Sequence, residues 1–251
     1  MTEPSNQSAE HERLIRKLES IADLTAEEKD AVRALPLSVK DVPADYEIVV
    51  EGARPSQCCL VLDGFACSYK MLPTGARQIM AFWIAGDVPD LQSLLLKTMD
   101  HSIGSIVASR LAFIPHSAIA EAARRYPGLA TAFWRETLID GAVFREWLVN
   151  VGRRNAYARL AHLICELYLR LRVVGLADEN GFDMPVTQME LGDAMGLSTV
   201  HVNRSLQELR RDGLIVSKGR YVGIPDWEAL KRAGEFDPTY LHLDREIRSA
   251  A

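Results

Sequence analysis

The chain has 251 residues and a mass of 27.9 kDa, with 29 Lys and Arg against 34 Asp and Glu, a formal net charge of -5 and an isoelectric point near 5.7. Hydrophobic content of 48% beside 25% charged residues is the ordinary globular balance, which excludes disordered and fibrous classes. An acidic total also excludes nucleic-acid binding by bulk charge, so any DNA contact needs a local basic patch. No apolar run approaches the roughly 18–20 residues of a membrane span. Residues 1–13 are polar and mixed in charge, unlike a secretory signal. Cys58, Cys59, Cys67 and Cys165 form no CxxC pair, which argues against a disulfide framework or a zinc ribbon. No membrane partner, no metal and a reducing, cytoplasmic setting are expected.

Residues 1–12 read as a frayed tail. Two short helical patterns follow to Leu35: Leu14, Leu18 and Ile21 share one face, and Thr25 with Glu28 spells a capping box after Leu24. From Asp41 to about Pro115 the texture is short β-like runs punctuated by Gly52, Gly64, Gly75 and Gly86, spaced 11 or 12 residues apart. That rhythm predicts a jelly-roll-like barrel of short strands. Cys58 and Cys59 alternate along one run, so at most one of them is expected to point inward.

After Pro115 the texture turns helical, with a short helix over 118–125 and Pro127 in the first turn of a long one. On that long helix Leu129, Phe133, Glu136, Ile139, Asp140, Val143 and Trp147 share an arc, while Trp134 and Leu138 point elsewhere. Two apolar faces imply two partners, the barrel and a second subunit. The first arc is assigned to the subunit seam, where Glu136 and Asp140 would bring like charges together across a dyad. Residues 156–171 follow as an amphipathic helix, and Gly175 to Phe182 as a polar loop.

Thr187 to Ile215 is the most informative stretch. Thr187 and Glu190 form a second capping box, Gly196 stops the first helix, Leu197 plugs the angle and Ser198 caps the second. Val202, Leu206 and Leu209 face inward. Thr199, Val200, His201, Asn203, Arg204 and Gln207 remain for the outer side, where a hydroxyl, an amide and a guanidinium suit major-groove base edges. Residues 214–217 and 221–224 then read as a two-stranded wing carrying Lys218 and Arg220 at its tip, with Asp226 capping a closing helix. From Ser198 to Ile224 there are five Lys or Arg against two Asp or Glu, about +3 within a chain of charge -5. Thr187, Gln188 and Ser198 at the helix starts complete the candidate DNA-binding set.

These motifs resemble the Crp/Fnr family of bacterial transcription regulators. The segment T-Q-x-x-L-G-x-x-x-G-L-S-x-x-x-V-N-R-x-L-x-x-L-R-x-x-G-L-I is similar to the family's helix-turn-helix. G-x-R-Q-I at 75–79 and F-x-x-x-G-D at 82–87 are similar to its barrel. The resemblance implies an α+β chain in four parts: a β-roll sensory domain at 13–126, a dimerisation helix at 127–151, a winged helix-turn-helix domain at 152–233 and a tail at 234–251. It also implies a homodimer on palindromic double-stranded DNA, with RNA polymerase as a further partner if the protein activates.

Departures from the family pattern matter as much. Relatives that bind cyclic AMP hold its phosphate with G-E and R-S or R-T pairs; here those positions are Asp90-Leu91 and His101-Ser102. The arginine is missing and Asp90 adds negative charge, so a cyclic nucleotide is not expected in this effector pocket. No cysteine precedes Cys58, which removes the ligands of an N-terminal iron–sulfur cluster. No cofactor is expected, although haem ligation through His101 or His116 stays open, as does a redox role for Cys58, Cys59 or Cys67. His162 reads as a packed or half-exposed side chain and not as a ligand. Val200 stands where many relatives carry a Glu, and Arg204 keeps the arginine that commonly contacts guanine. No catalytic motif is recognisable, so an enzyme is not expected. The alternative reading is a small-molecule-binding regulator whose output is not DNA.

Overall fold

A computed structural model describes residues 4–243 of the chain. Helix α1 (Pro4–Glu19) occupies most of the segment read as a frayed tail. Its Leu14, Ile15 and Leu18 are buried, His11 Nε2 lies 2.8 Å from the Leu35 carbonyl, and Arg110 donates to Glu10 at 2.7 Å. The tail reading failed because these anchors lie 24 and 100 residues away, beyond the reach of local pattern. Helix α2 (Ala26–Arg33) begins at the expected Thr25–Glu28 capping box.

Seven strands follow: β1 (Ser38–Val42), β2 (Glu47–Val49), β3 (Gln57–Asp63), β4 (Ala66–Met71), β5 (Arg77–Trp83), β6 (Ser102–Ser105) and β7 (Ser109–Pro115). They form antiparallel sheets ordered β1-β7-β3 and β2-β6-β4-β5, with reversals at Gly52, Gly64, Gly75 and Gly86, all at positive φ. Strand β3 is buried on both faces, so Cys58 and Cys59 are both inside, contrary to the alternation argument. Cys58, Leu60 and Leu62 join a helical layer of α1, α2, helix α3 (His116–Arg125) and the start of helix α4 (Pro127–Arg153). A strand covered by helices loses the inside–outside contrast that alternation relies on.

The described residues divide into two compact units, one built from residues up to Lys70 with Phe82–Asp140, the other from Met71–Ala81 with residues from Gly141 onward. The first unit contains a buried charge cluster. Lys17 Nζ lies 2.9 Å from Asp87 Oδ1 and 3.1 Å from Glu136 Oε1, and the two carboxylates are almost wholly shielded from solvent. Glu136 therefore serves its own chain and does not face a partner across a dyad. The rest of the proposed seam is corrected with it: Leu129, Phe133, Ile139, Val143 and Trp147 are all buried within the chain, and Asp140 is half-buried. The large apolar residues of α4 left in solvent are Trp134, Leu138, Leu148 and Val149, at 68%, 58%, 75% and 47% exposure. The arc assigned to a second subunit is thus the one the chain buries within itself, and the arc of Trp134 and Leu138 is the one it leaves in solvent.

In the second unit helix α5 (Ala156–Val173) is buried nearly all round instead of on one stripe. It packs against α6 (Gln188–Met195), α7 (Thr199–Arg211) and α8 (Trp227–Ala233). The loop read at 175–182 contains part of a short strand, β8 (Gly181–Asp183), which pairs with β10 (Tyr221–Gly223) beside β9 (Val216–Lys218), so the wing has three strands. Part of the expected tail is ordered too: Phe236, Leu241 and Leu243 are buried and Tyr240 donates to Glu166 Oε2 at 2.8 Å, while residues 244–251 lie outside the described ones. His162 is buried, with Nδ1 3.0 Å from the Gly234 carbonyl.

Lys17→Met leaves two carboxylates buried together and is expected to cost about 3–5 kcal/mol of stability in urea unfolding. Adding Asp87→Asn and Glu136→Gln is expected to recover most of that loss, whereas a single-variant cost under about 1 kcal/mol would mean the cluster contributes little.

Candidate nucleic-acid interface and sensory barrel

The reversal between α6 and α7 is set by two glycines. Gly196 takes the left-handed conformation, φ 64°, at the end of α6. Gly192 accepts from the Leu197 amide at 3.0 Å, and a Cβ there would stand 2.6 Å from the Leu197 carbonyl oxygen. Both helix starts are capped as the sequence implies. Thr187 Oγ1 accepts from the Glu190 amide at 3.2 Å while Glu190 Oε2 accepts from the Thr187 amide at 2.6 Å, and Ser198 Oγ accepts from the His201 amide at 3.4 Å. Thr187 and Ser198, both exposed, thus hold helix ends with the hydroxyls assigned to DNA. The ends they shape offer free N–H groups and a positive dipole, which favour phosphate.

Val202, Leu206 and Leu209 anchor α7 in the core. Its outer side carries Thr199, Val200, His201, Arg204 and Gln207, all exposed. Val200 is 74% exposed, a large apolar side chain left in water with nothing to satisfy locally. Arg204 is held only loosely by Glu208, at 3.7 Å across one helical turn. Asn203 is half-buried, and its Nδ2 donates to Gln188 Oε1 at 3.1 Å. That pairing escaped the sequence reading, because partners 15 residues apart meet only once the turn angle is known. Lys218 and Arg220 flank Gly219 at the exposed wing tip.

The effector-pocket residues are placed less favourably for a cyclic phosphodiester. Leu91 is buried and apolar. Ser102 Oγ already accepts from the Glu51 amide at 3.0 Å. His101 is buried, its Nδ1 2.7 Å from Asp100 Oδ1, and its Nε2 has no hydrogen-bond partner among the described residues. Hydrogen bonding to His101 holds the Asp100 carboxyl below its ordinary range. Asp90 points inward, Oδ1 accepting from the Cys59 amide at 2.7 Å. With no guanidinium among these four and a carboxyl in their midst, they do not fit a cyclic nucleotide.

The other sensing candidates are equally occupied or enclosed. His116 Nε2 lies 2.9 Å from Ser93 Oγ, and burial lowers its pKa. All four cysteines are buried free thiols, and burial pushes Cys58, Cys59 and Cys165 well above the usual thiol range. Fewer thiolates mean less reactivity. No helix among the described residues is long and apolar enough to cross a membrane.

Burial pushes the Asp90 carboxyl up to about 7, against an unfolded value of about 3.9. Between those values the folded chain keeps a proton that the unfolded chain has lost. Stability from this group therefore falls as pH rises through that window and is flat above about 7. Asp90→Asn removes the linkage, so the variant is expected to gain roughly 1–3 kcal/mol relative to the parent between pH 5 and pH 8 in urea unfolding. A stability difference that does not change with pH would show that Asp90 is ionised throughout.

Comparison with known proteins agrees with this arrangement. Residues 39–126 match the cyclic nucleotide-binding domain and residues 158–233 the Crp-like helix-turn-helix domain. The chain is 24% identical over 197 residues to the transcriptional activator protein FnrL of Cereibacter sphaeroides, covering 76% of this chain and 79% of that one. It is 24% identical over 172 residues to the fumarate and nitrate reduction regulatory protein of Escherichia coli, covering 68% of each. Among solved structures, FixK2 from Bradyrhizobium japonicum superposes with a TM-score of 0.72 at 25% identity, over 79% of this chain and 98% of that one. Both halves of the chain thus lead to the same relatives, transcription regulators and not enzymes, and the protein belongs to the Crp/Fnr family.

Proposed function

We propose that the protein is a cytoplasmic homodimer that binds a palindromic operator through α7, under control of a signal received by the β-roll that is not a cyclic nucleotide. The observation that carries the DNA reading is the outer side of α7: Val200, Arg204 and Gln207 in solvent beside a basic wing. Arg204 suits the O6 and N7 acceptors of guanine, and Asn203 suits adenine. Val200 accepts no hydrogen bond and offers only contact with a thymine methyl. Lys218 and Arg220 supply phosphate contacts that fix register without reading sequence. Contact with RNA polymerase follows if the output is activation.

The dimer is assigned to the exposed face of α4. Trp134, Leu138, Gly141, Arg145 and Leu148 follow one another at steps of four and three, the spacing of a coiled-coil seam. Paired helices of this kind place two recognition helices about one DNA turn, roughly 34 Å, apart.

Selection from a random duplex library at about 150 mM salt, where phosphate-only binding is suppressed, is expected to return an inverted repeat with one-turn spacing. Arg204→Ala is expected to cost roughly 1–3 kcal/mol on the selected site and little on random DNA. Equal losses on both would make Arg204 a phosphate contact. Leu138→Glu is expected to sediment near the 27.9 kDa of one chain and to lose the inverted repeat, and a dimer that survives it would remove the α4 seam.

A further inference from the structure

The short link between α4 and α5, Arg154 and Asn155, is tied to the end of α6 through the side chain of Arg159. Arg159 lies one turn into α5, is half-buried, and donates in two directions: Nε to the Arg154 carbonyl and Nη1 to the Met195 carbonyl, each at 2.8 Å. Met195 is the last residue of α6, where a helix leaves its carbonyls to outside donors. A guanidinium suits that end as a cation at the negative pole of the helix and as a rigid fork of donors. The last turn of α4 lies in the same junction. A Cβ at Gly196 would stand 3.4 Å from Val151 Cγ1, and buried Asn150 has its Nδ2 3.5 Å from Met195 Sδ.

The Arg154 carbonyl moves with α4, because Glu146 Oε1, two turns back along that helix, holds the Arg154 guanidinium at 2.7 Å. Met195 moves with the helix-turn-helix, whose α7 packs against α5. A second tie joins α4 to this bundle at Trp147, whose Nε1 donates to Glu166 Oε2 of α5 at 3.0 Å. One directional tie is a pivot, and two set an angle. Trp147 and Arg154 are seven residues apart, about 10 Å at the rise of a helix. Apolar contact such as that of Val151 resists separation but is non-directional. Arg159 supplies the second point, at the joint itself.

Resting on the reading of α7 as the DNA-reading helix and of α4 as the dimer seam, we infer that Arg159 is a positioning residue for operator binding: its guanidinium fixes the angle between the end of α4 and the helix-turn-helix, and with it the half-site spacing the dimer accepts. Each added base pair moves a half-site by about 3.4 Å along the duplex and turns it about the axis. A fixed angle therefore admits one spacing, and a loosened one admits several. Arg159 touches no base in this role, so the sequence read within each half-site stays with α7.

The test compares the full-length protein with Arg159→Met and Arg159→Lys, each assayed as a dimer well below its melting temperature. The duplexes carry two selected half-sites in inverted orientation, with the spacer lengthened and shortened base pair by base pair. The parent is expected to prefer one spacing by roughly tenfold or more, and Arg159→Met by about threefold or less, with the Arg204 step intact. Arg159→Lys keeps the charge, but a point cation on a flexible stem cannot hold both carbonyls, so it is expected to lose the spacing preference likewise. The inference is overturned if Arg159→Met keeps the parental preference, if Arg159→Lys restores it, or if the base preference within the half-site is lost along with the spacing. If Arg159→Met does not fold, Arg159→Lys decides alone by the same criterion, and failure of both to fold makes Arg159 a structural residue and overturns the inference. A parent that accepts every spacing also overturns it while sparing the DNA reading. A parent that selects no sequence defeats both.

Discussion

The close approach of α6 to α7 is the constraint from which the candidate DNA-reading surface follows. Gly192 carries no side chain where a Cβ would stand 2.6 Å from the Leu197 carbonyl, and Gly196 turns the chain in the left-handed region within one residue. Any bulk at the first position or ordinary backbone at the second would open the angle between the helices. The angle decides which residues of α7 meet water, and it brings Gln188 within reach of Asn203. The two glycines thereby set which residues of α7, Arg204 among them, are presented to solvent.

Each unit is tied together by charge placed out of water. In the first, one ammonium is shared between Asp87 and Glu136, while Asp87 Oδ2 also accepts from the Ile84 amide at 2.8 Å and so fixes the turn after β5. In the second, fully buried Glu166 accepts from Trp147, Tyr240 and Arg170, at 3.0, 2.8 and 3.2 Å. Buried charges are tolerated only with partners, and apart from Arg170, one turn along the same helix, these partners come from other segments of the chain. The donors to Glu166 include Tyr240, from beyond the matched helix-turn-helix domain, so the described residues that follow that domain belong to the packed unit. These clusters restrict which helix faces can turn outward, and they account for the apolar residues that α4 leaves in solvent.

The β-roll keeps the fold of a cyclic nucleotide-binding domain without its phosphate chemistry. Ser102 is engaged by the Glu51 amide, Asp90 by the Cys59 amide, and His101 by Asp100. Turning Asp90 inward places a carboxyl among buried thiols and raises its pKa by desolvation first. Each of these three polar side chains thus has at least one internal hydrogen bond, which is compatible with a shared fold whose site chemistry differs.

Local chemistry made much of this legible in the sequence. Capping boxes at Thr25 and Thr187, caps at Ser198 and Asp226, Pro127 at the start of the long helix and the glycine reversals each act within four residues, so their signal survives without tertiary context. The inward face of α7 was readable for the same reason. What the sequence left open were relations between distant segments: the docking of α1, the burial of both faces of β3, the third wing strand, and the choice between the two faces of α4. An apolar stripe states that a helix face will be covered, and hydrophobic burial has no address written in it. The sequence by itself determined the capped starts of α2, α6, α7 and α8 and the inward face of α7, because short-range geometry fixes them, and the motifs they carry pointed to the family. Only the tertiary structure decided that Glu136 answers to Lys17 and Asn203 to Gln188, because those contacts exist only when separate elements are packed.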